Sequence, residues 1–151
     1  MNVTHKYQIR ANSTVVRSGL AVADGIEPSI AFSAPPEFKG QAGHWTPEHF
    51  FVAAVASCFV STFSGMAFNS NLEFLFLELE TEGIVAQDQV GWRFREVILR
   101  PRLTIAQAEQ QVLGNRLLHK AKESCLVGRS IACPVVLEPA LIIEEQPIVS
   151  R

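Results

Sequence analysis

Residues 45–59 have the sequence WTPEHFFVAAVASCF, and this stretch decides the interpretation of the rest of the chain. Thr46 can cap a helix, Pro47 is tolerated at the first helical position, and the Glu48 carboxylate suits the positive end of a helix. The stretch therefore predicts a helix that begins at these three residues. We expect it to run to about Phe68, where a short polar segment stops it.

The predicted helix is apolar enough to require a membrane test, because residues 50–68 carry no formal charge. Its length is close to that of a bilayer-spanning segment. Serines, a threonine and a glycine dilute it, however, and no cluster of Lys or Arg flanks it closely. A helix that is apolar on all sides can equally be the central helix of a soluble domain. We favour that interpretation and expect no membrane partner.

Length and composition indicate one globular domain that spans residues 1–151. The chain has 48% hydrophobic and 19% charged residues, and its net charge of -2 gives no general attraction to nucleic acid. The N-terminus lacks the basic start and apolar run of a secretory signal. Three cysteines at wide spacing do not form the disulfide framework of a secreted domain. These features together predict a cytoplasmic protein.

The remaining pattern alternates strands with a second helix. Turns are predicted at Gly19 and at residues 24–25, and a loop at the Pro- and Gly-rich residues 34–43. A capping box at residues 104–107 is expected to begin a second long helix that ends near residue 124. Strands are expected at residues 5–10, 14–17, 29–33, 72–85, 93–102 and 134–144. This order predicts an α+β fold with antiparallel sheets packed around two long helices.

The three cysteines differ in their surroundings. Cys58 lies in the middle of the apolar helix, where a small buried hydrophobic residue is the ordinary interpretation. Cys125 follows the second helix among polar neighbours and before an expected turn, so it should be the more accessible thiol. Cys133 precedes a proline and is interpreted as structural. No histidine, cysteine or carboxylate stands at metal-ligand spacing, so no metal is predicted.

Three segments of the sequence, two of which contain cysteines, resemble a known protein family. Residues 45–59, together with Ala34-Pro35-Pro36-Glu37-Phe38 before them and the run 119–125 after them, resemble the marks of the OsmC/Ohr family in the same order. That family comprises osmotically inducible protein C and the organic hydroperoxide resistance proteins, and this chain looks closer to the OsmC-like branch. The resemblance implies an α+β domain that forms an intertwined homodimer.

The resemblance also implies residue roles. Cys58 matches the peroxidatic cysteine and Cys125 the resolving cysteine, while Glu48 matches the acidic residue that holds a catalytic arginine. Arg17 best matches that arginine, and Arg10 is the alternative. One departure stands out: family members often have Cys-Pro where this chain has Cys125-Leu126.

The implied chemistry is physically sensible. A cysteine attacks as its thiolate, and Cys58 lies about three turns from the start of its helix, beyond the reach of the helix dipole. A guanidinium could supply the missing positive charge. Attack on a hydroperoxide leaves a sulfenic acid, which Cys125 condenses to a disulfide. An external dithiol then reduces it, whether a lipoylated protein, a thioredoxin-like protein or a small thiol, and no cofactor is needed.

An apolar pocket for an organic tail could be walled by Phe38, Phe51, Phe59 and Leu126. The alternative is that these side chains belong to the ordinary core. At the level of the whole protein, the alternatives to a peroxidase are a non-catalytic small-molecule-binding protein of the same fold and a redox sensor that uses the same disulfide.

Helix geometry supports the expected homodimer. Glu48 and Cys58 are separated along a straight helix by about 15 Å, too far to share one arginine within a chain. Two copies of the helix, packed antiparallel about a two-fold axis, could place each Cys58 near the Glu48 end of the other. We therefore expect two equivalent sites, each built from both chains.

Overall fold

The computed structural model describes residues 3–145, and the chain divides into two compact units, residues 1–51 and 52–151. Both units mix strands with helix, so the predicted α+β class is confirmed. The boundary falls inside a helix rather than in a linker. The single domain predicted from the sequence stays a prediction.

Unit 1 contains a three-stranded antiparallel sheet in the order β1-β2-β3. The strands are β1 (Arg10–Ser13), β2 (Ser18–Ala23) and β3 (Ile26–Ser33). The predicted strand at residues 14–17 is wrong, because these residues form the turn between β1 and β2. The predicted turn at Gly19 is also wrong. Gly19 is buried in β2, where a Cβ would lie only 2.5 Å from a backbone oxygen of β1.

The long apolar helix α1 spans Pro47–Asn69, close to the predicted limits. Thr46 Oγ1 accepts a hydrogen bond from the His49 N–H at 3.1 Å, and the Thr46 N–H donates to His49 Nδ1 at 3.2 Å. This reciprocal pair satisfies groups that the first helical turn otherwise leaves without partners. At the other end Asn71 adopts a left-handed conformation (φ 54°), which ends the helix.

Unit 2 is built on the long hairpin of β4 (Phe76–Gln87) and β5 (Trp92–Ile105). The short strands β6 (Val135–Leu137) and β7 (Ala140–Ile143) both pair parallel to β5, so this sheet is only partly antiparallel. The single predicted strand at 134–144 is wrong, because the strand is interrupted between β6 and β7 at Pro139, which has no N–H to donate.

Helix α2 spans Gln111–Ser124, and a short helix α3 spans Leu126–Ser130. The predicted capping box at residues 104–107 is wrong. Thr104 and Ile105 belong to β5, where Thr104 pairs with Phe76, and a 3-10 turn at Ala108–Gln110 precedes α2. Local helix-start chemistry is overridden here by the pairing of two long strands.

One stripe of α1, at four-residue intervals, enters the core of unit 2. It is formed by Val55, Phe59, Phe63 and Ala67, each exposed by 1% or less. Burial of such a stripe is the main source of stability for a helix of this kind. The core also contains side chains of β5 and α2, which include Val97, Leu99, Leu103, Leu117, Leu118 and Ala121.

The rest of α1 is less covered within one chain. By length and composition it is the one helix in residues 3–145 that could cross a membrane, and 22% of the window that meets this test is buried. Such a single match is weak evidence, because core helices of soluble proteins pass the same test. The buried stripe of α1 within unit 2 agrees with the core-helix interpretation.

Candidate active site

Cys58 and Cys125 are free thiols of unit 2 that affect each other's ionisation. Cys58 lies in the middle of α1 and is partly exposed, whereas Cys125 lies between α2 and α3 and is only 1% exposed. The fold thus brings together the two cysteines that the family resemblance pairs. The expectation that Cys125 would be the more accessible thiol is wrong, because the junction of two helices encloses it.

The surroundings of Cys58 favour its ionised form. Burial raises the pKa of the Cys58 thiol, but several hydrogen bonds outweigh it and hold the pKa below its ordinary value. The donors are, in decreasing order, the Cys125 thiol, the Val127 N–H, the Thr62 hydroxyl and the Leu126 N–H. The nucleophilic thiolate is therefore populated at a lower pH than in an unperturbed cysteine.

Cys125 has the opposite preference. Burial, the hydrogen bond with Cys58 and the negative charge of the Cys58 thiolate all raise the pKa of the Cys125 thiol. The backbone N–H groups of Gly128 and Val127 oppose this only partly. The two protons leave as a coupled pair, with Cys58 ionising first. Cys125 then still has its proton and can donate it to the sulfur of Cys58.

The backbone donors come from α3, which begins directly after Cys125. Cys125 caps this helix, and its Sγ accepts a hydrogen bond from the Gly128 N–H at 3.4 Å. The first N–H groups of any helix lack partners within it, so those of Leu126 and Val127 are available to Cys58. Sequence reasoning considered only the distant start of α1 and an arginine, and it missed these donors. The one signal was Cys125 at the end of a predicted helix.

Thr62 was also missed by the sequence analysis. It lies one helical turn after Cys58 on the same face of α1, and its Oγ1 is 4.0 Å from Cys58 Sγ. A hydroxyl four residues beyond a mid-helix cysteine is the sequence signal that could have found it.

Glu48 lies in the first turn of α1, in unit 1. Its Oε2 is buried and has no hydrogen-bond partner among residues 3–145. A buried carboxylate oxygen without a partner costs free energy of about 1–3 kcal/mol or more. Within this part of the chain no arginine pairs with Glu48, so the oxygen can still accept a donor.

The two candidate arginines differ in what they contact. Arg10 forms a salt bridge with Asp24, with 2.7 Å between Nη2 and Oδ1, and both side chains are largely exposed. Arg17 lies at the tip of the turn between β1 and β2 in a left-handed conformation (φ 62°), and its side chain is exposed. No salt bridge involves Arg17 among the described residues. Arg17 is therefore the freer of the two guanidiniums.

The four predicted pocket residues have different degrees of burial. Phe38 and Phe51 are half-buried residues of unit 1, and Leu126 is 71% exposed on α3. Phe59 is completely buried in the core of unit 2, so we correct its assignment to a core residue and do not retain it as a substrate contact. In residues 3–145 no group of three or more His, Cys, Asp or Glu could hold a metal ion.

Comparison with known proteins establishes the class of this chain. The family model described as OsmC-like protein matches residues 40–139. The chain therefore belongs to the OsmC-like family, which confirms the resemblance noted in the sequence. Both cysteines of the pair and Glu48 lie inside the matched region, whereas Arg17 lies before it.

Among individual proteins, the chain is 27% identical over 137 residues to the uncharacterized protein YmaD of Bacillus subtilis, covering 89% of this chain and 91% of that protein. Its fold is similar to an OsmC-like protein of unknown function from Vibrio cholerae (TM-score 0.78, 22% identity, 90% and 99% of the two chains covered). It is also similar to an organic hydroperoxide resistance protein OsmC from Legionella pneumophila (TM-score 0.73, 21% identity, 93% of this chain and 100% of that chain covered). A third similar fold is that of the organic hydroperoxide resistance protein OhrB of Bacillus subtilis (TM-score 0.67, 21% identity, 91% of this chain and 98% of that chain covered).

Proposed function

We propose that this protein is a thiol-dependent peroxidase that reduces organic hydroperoxides, with Cys58 as the peroxidatic and Cys125 as the resolving cysteine. One observation carries the proposal: two interacting thiols whose pKa values are shifted in opposite directions. Membership of the OsmC-like family supports a peroxide-related redox role. Two proteins of similar fold are named organic hydroperoxide resistance proteins, which points to the same substrate class.

In the first step the Cys58 thiolate attacks the terminal oxygen of the hydroperoxide. A sulfur–oxygen bond forms and the oxygen–oxygen bond breaks. The alkoxide leaves and becomes the alcohol by taking up a proton from solvent, which replaces the proton that Cys58 released on ionisation. Cys58 is oxidised to a sulfenic acid while the peroxide is reduced. The donors around the Cys58 sulfur favour this step because they keep a fraction of the thiol ionised at a pH where a free cysteine is mostly protonated.

In the second step the Cys125 sulfur attacks the Cys58 sulfenic acid. The sulfur–sulfur bond forms and the sulfenic oxygen leaves as water. The mutual effect of the two thiols on their pKa values supports this step, because such an effect requires the two side chains to lie near each other. The raised pKa of Cys125 keeps it protonated until Cys58 has reacted.

An external dithiol must close the cycle. Its two thiols are oxidised as the Cys58–Cys125 disulfide is reduced by thiol–disulfide exchange. A lipoylated protein, a thioredoxin-like protein or a small thiol could serve. Such reductants are available in a reducing cytoplasm, the location that we propose.

We propose that Arg17 completes the site and that Glu48 holds it. The unpaired Oε2 of Glu48 can accept a guanidinium, and Arg17 has no salt bridge among residues 3–145. A guanidinium could stabilise the thiolate and hydrogen-bond the leaving oxygen at once. Along the continuous helix α1, Glu48 and Cys58 are about 15 Å apart, so one Arg17 cannot serve both groups of a single chain.

A homodimer resolves this geometry. The faces of α1 outside its buried stripe carry no charged residue between residues 50 and 68, and 22% of its most hydrophobic window is buried within one chain. A second copy packed against α1 would remove this surface from water and bring the Glu48 end of one helix to the Cys58 of the other. Refolded mixtures of Cys58→Ser and Glu48→Ala subunits, each inactive alone, should regain part of the activity. A monomer by light scattering contradicts the shared site.

The activity itself is tested by peroxide consumption with dithiothreitol as reductant. We expect turnover of cumene hydroperoxide, with slower or no turnover of hydrogen peroxide. No consumption of either peroxide, with both thiols intact, would instead indicate a non-catalytic binding protein. Oxidation of Cys58 without repeated turnover in the presence of dithiol would indicate a redox sensor.

A further inference from the structure

Helix α1 contains hydroxyl side chains on both sides of Cys58, and their partners differ. Ser57 Oγ donates to the Ala54 carbonyl at 3.3 Å, and Ser61 Oγ donates to the Cys58 carbonyl at 3.1 Å. Such bonds to the preceding turn are the ordinary state of a serine inside a helix. These two hydroxyls therefore donate to backbone carbonyls and not to the Cys58 sulfur.

Thr62 differs from both serines. The hydrogen-bond contact of its hydroxyl within the described residues is with Cys58 Sγ, at 4.0 Å between Sγ and Oγ1. The spacing of four residues places the two side chains one above the other on the same face of α1. Thr62 is half-buried, so water competes less for its hydroxyl than it does for the exposed Ser61.

Two acceptors compete for the Thr62 hydroxyl. A helical threonine has two accessible rotamers because its Oγ1 can also bond a carbonyl of the preceding turn. The distance of 4.0 Å is the outer limit for a hydrogen bond to sulfur. A thiolate is a stronger acceptor than a thiol, since hydrogen bonds to a charged group are shorter and roughly twice as strong as neutral ones. Ionisation of Cys58 should therefore draw the hydroxyl toward the sulfur.

We propose that Thr62 is a positioning residue for the Cys58 thiolate. Its hydroxyl donates to Sγ from one turn further along α1, and it acts together with Cys125 and the first N–H groups of α3, which also lower the pKa of Cys58. The titratable group that contacts Cys58 within residues 3–145 is the Cys125 thiol. The consequence for catalysis rests on the proposed peroxidase activity, but the effect on ionisation does not.

Alkylation of Cys58 by iodoacetamide as a function of pH tests this inference without any peroxide. Thr62→Val keeps the shape of the side chain and removes the hydroxyl. We expect the pH midpoint for Cys58 to rise by about 0.5 unit, which makes alkylation below the midpoint about threefold slower. Well above the midpoint the rates of variant and parent should agree, because all the sulfur is then ionised. Thr62→Ser should restore the parent midpoint.

Ser61→Ala is the matched control, because it removes a neighbouring hydroxyl that bonds the Cys58 carbonyl instead of the sulfur. Its midpoint should equal that of the parent. A Thr62→Val midpoint equal to that of the parent, in a variant with unchanged thermal unfolding, would overturn the proposal. So would an equal rise in Ser61→Ala. If Thr62→Val shifts the midpoint while the parent consumes no peroxide, the inference stands and the peroxidase proposal fails.

Discussion

The middle of α1 and the junction of α2 with α3 place one cysteine each at the same site, yet they favour opposite protonation states. Cys58 is partly exposed and accepts hydrogen bonds from side chains and backbone, and its pKa is lowered. Cys125 is fully enclosed and faces the charge of Cys58, and its pKa is raised. The first region favours the thiolate of its cysteine, and the second favours the protonated thiol.

The difference shows that the helix containing a thiol need not be the element that tunes it. Cys58 is too far from the start of α1 to benefit from that helix dipole. It is instead served by the beginning of α3, which Cys125 itself caps. Cys125, the proposed resolving cysteine, thus has a second task, because its position starts the helix whose N–H groups lower the pKa of Cys58.

Replacement of the nucleophile should have the largest effect. In Cys58→Ser the hydroxyl is not appreciably ionised near neutral pH, so we expect peroxide consumption to fall to the rate without protein. A ferric-dye assay for residual hydroperoxide measures this. Cys133→Ser is the control and should retain parental turnover. Activity of Cys58→Ser near that of the parent would end the peroxidase account.

Replacement of the resolving thiol should separate the two steps. Cys125→Ser should react once and then stall as a Cys58 sulfenic acid, which excess peroxide over-oxidises. Intact-mass measurement should show added oxygen atoms. Because serine still donates a hydrogen bond, the pH midpoint of Cys58 should rise less in Cys125→Ser than in Cys125→Ala. Equal midpoints in these two variants would show that the Cys125 hydrogen bond does not lower the Cys58 pKa.

Replacement of Arg17 tests whether Cys58 reacts rapidly with only the hydrogen-bond donors of Cys125, Thr62 and α3. Arg17→Ala should slow the attack of Cys58 on an organic hydroperoxide by about 10-fold or more, through loss of a charged donor to the sulfur and the leaving oxygen. Stopped-flow measurement of Cys58 oxidation gives this rate. Arg10→Ala, which breaks the exposed salt bridge with Asp24, is the control. A slow Arg10→Ala beside an unaffected Arg17→Ala would transfer the role to Arg10.

The smallest effect is expected at Leu126. Leu126→Pro removes one N–H donor to Cys58 at the first position of α3, where a proline is structurally tolerated. The Leu126 N–H is the weakest of the donors, so the pH midpoint of Cys58 alkylation should rise by only about 0.3 unit. Leu126→Ala keeps the N–H and should leave the midpoint unchanged. A shift of equal size in both variants would assign the effect to the side chain.

The sequence predicted the parts of the fold that depend on local chemistry. Thr46, Pro47 and the polar residues after α1 set the limits of that helix, and the turn at residues 24–25 was also found. It failed where distant pairing decides. Thr104 carries a helix-start signal but is held in β5 by its pairing with Phe76. No local pattern could reveal that competition.

The candidate site divides in the same way. The two cysteines were found through the order of their motifs along the chain, whereas the donors that tune them were not. A backbone N–H has no sequence signature, and those of Leu126 and Val127 matter only because the fold brings the start of α3 near Cys58. The low exposure of Cys125 was missed for the same reason, since its sequence neighbours Glu123 and Ser124 are exposed while the fold encloses Cys125 itself.

The most direct test of the two-cysteine site is the disulfide that forms after one equivalent of cumene hydroperoxide. The oxidised protein is alkylated, digested without reductant and mapped by mass spectrometry. We expect a single cross-link between the Cys58 and Cys125 peptides, with Cys133 alkylated, and its disappearance after treatment with dithiothreitol. A cross-link from Cys58 to Cys133, or three alkylated cysteines with the hydroperoxide unconsumed, would contradict the account.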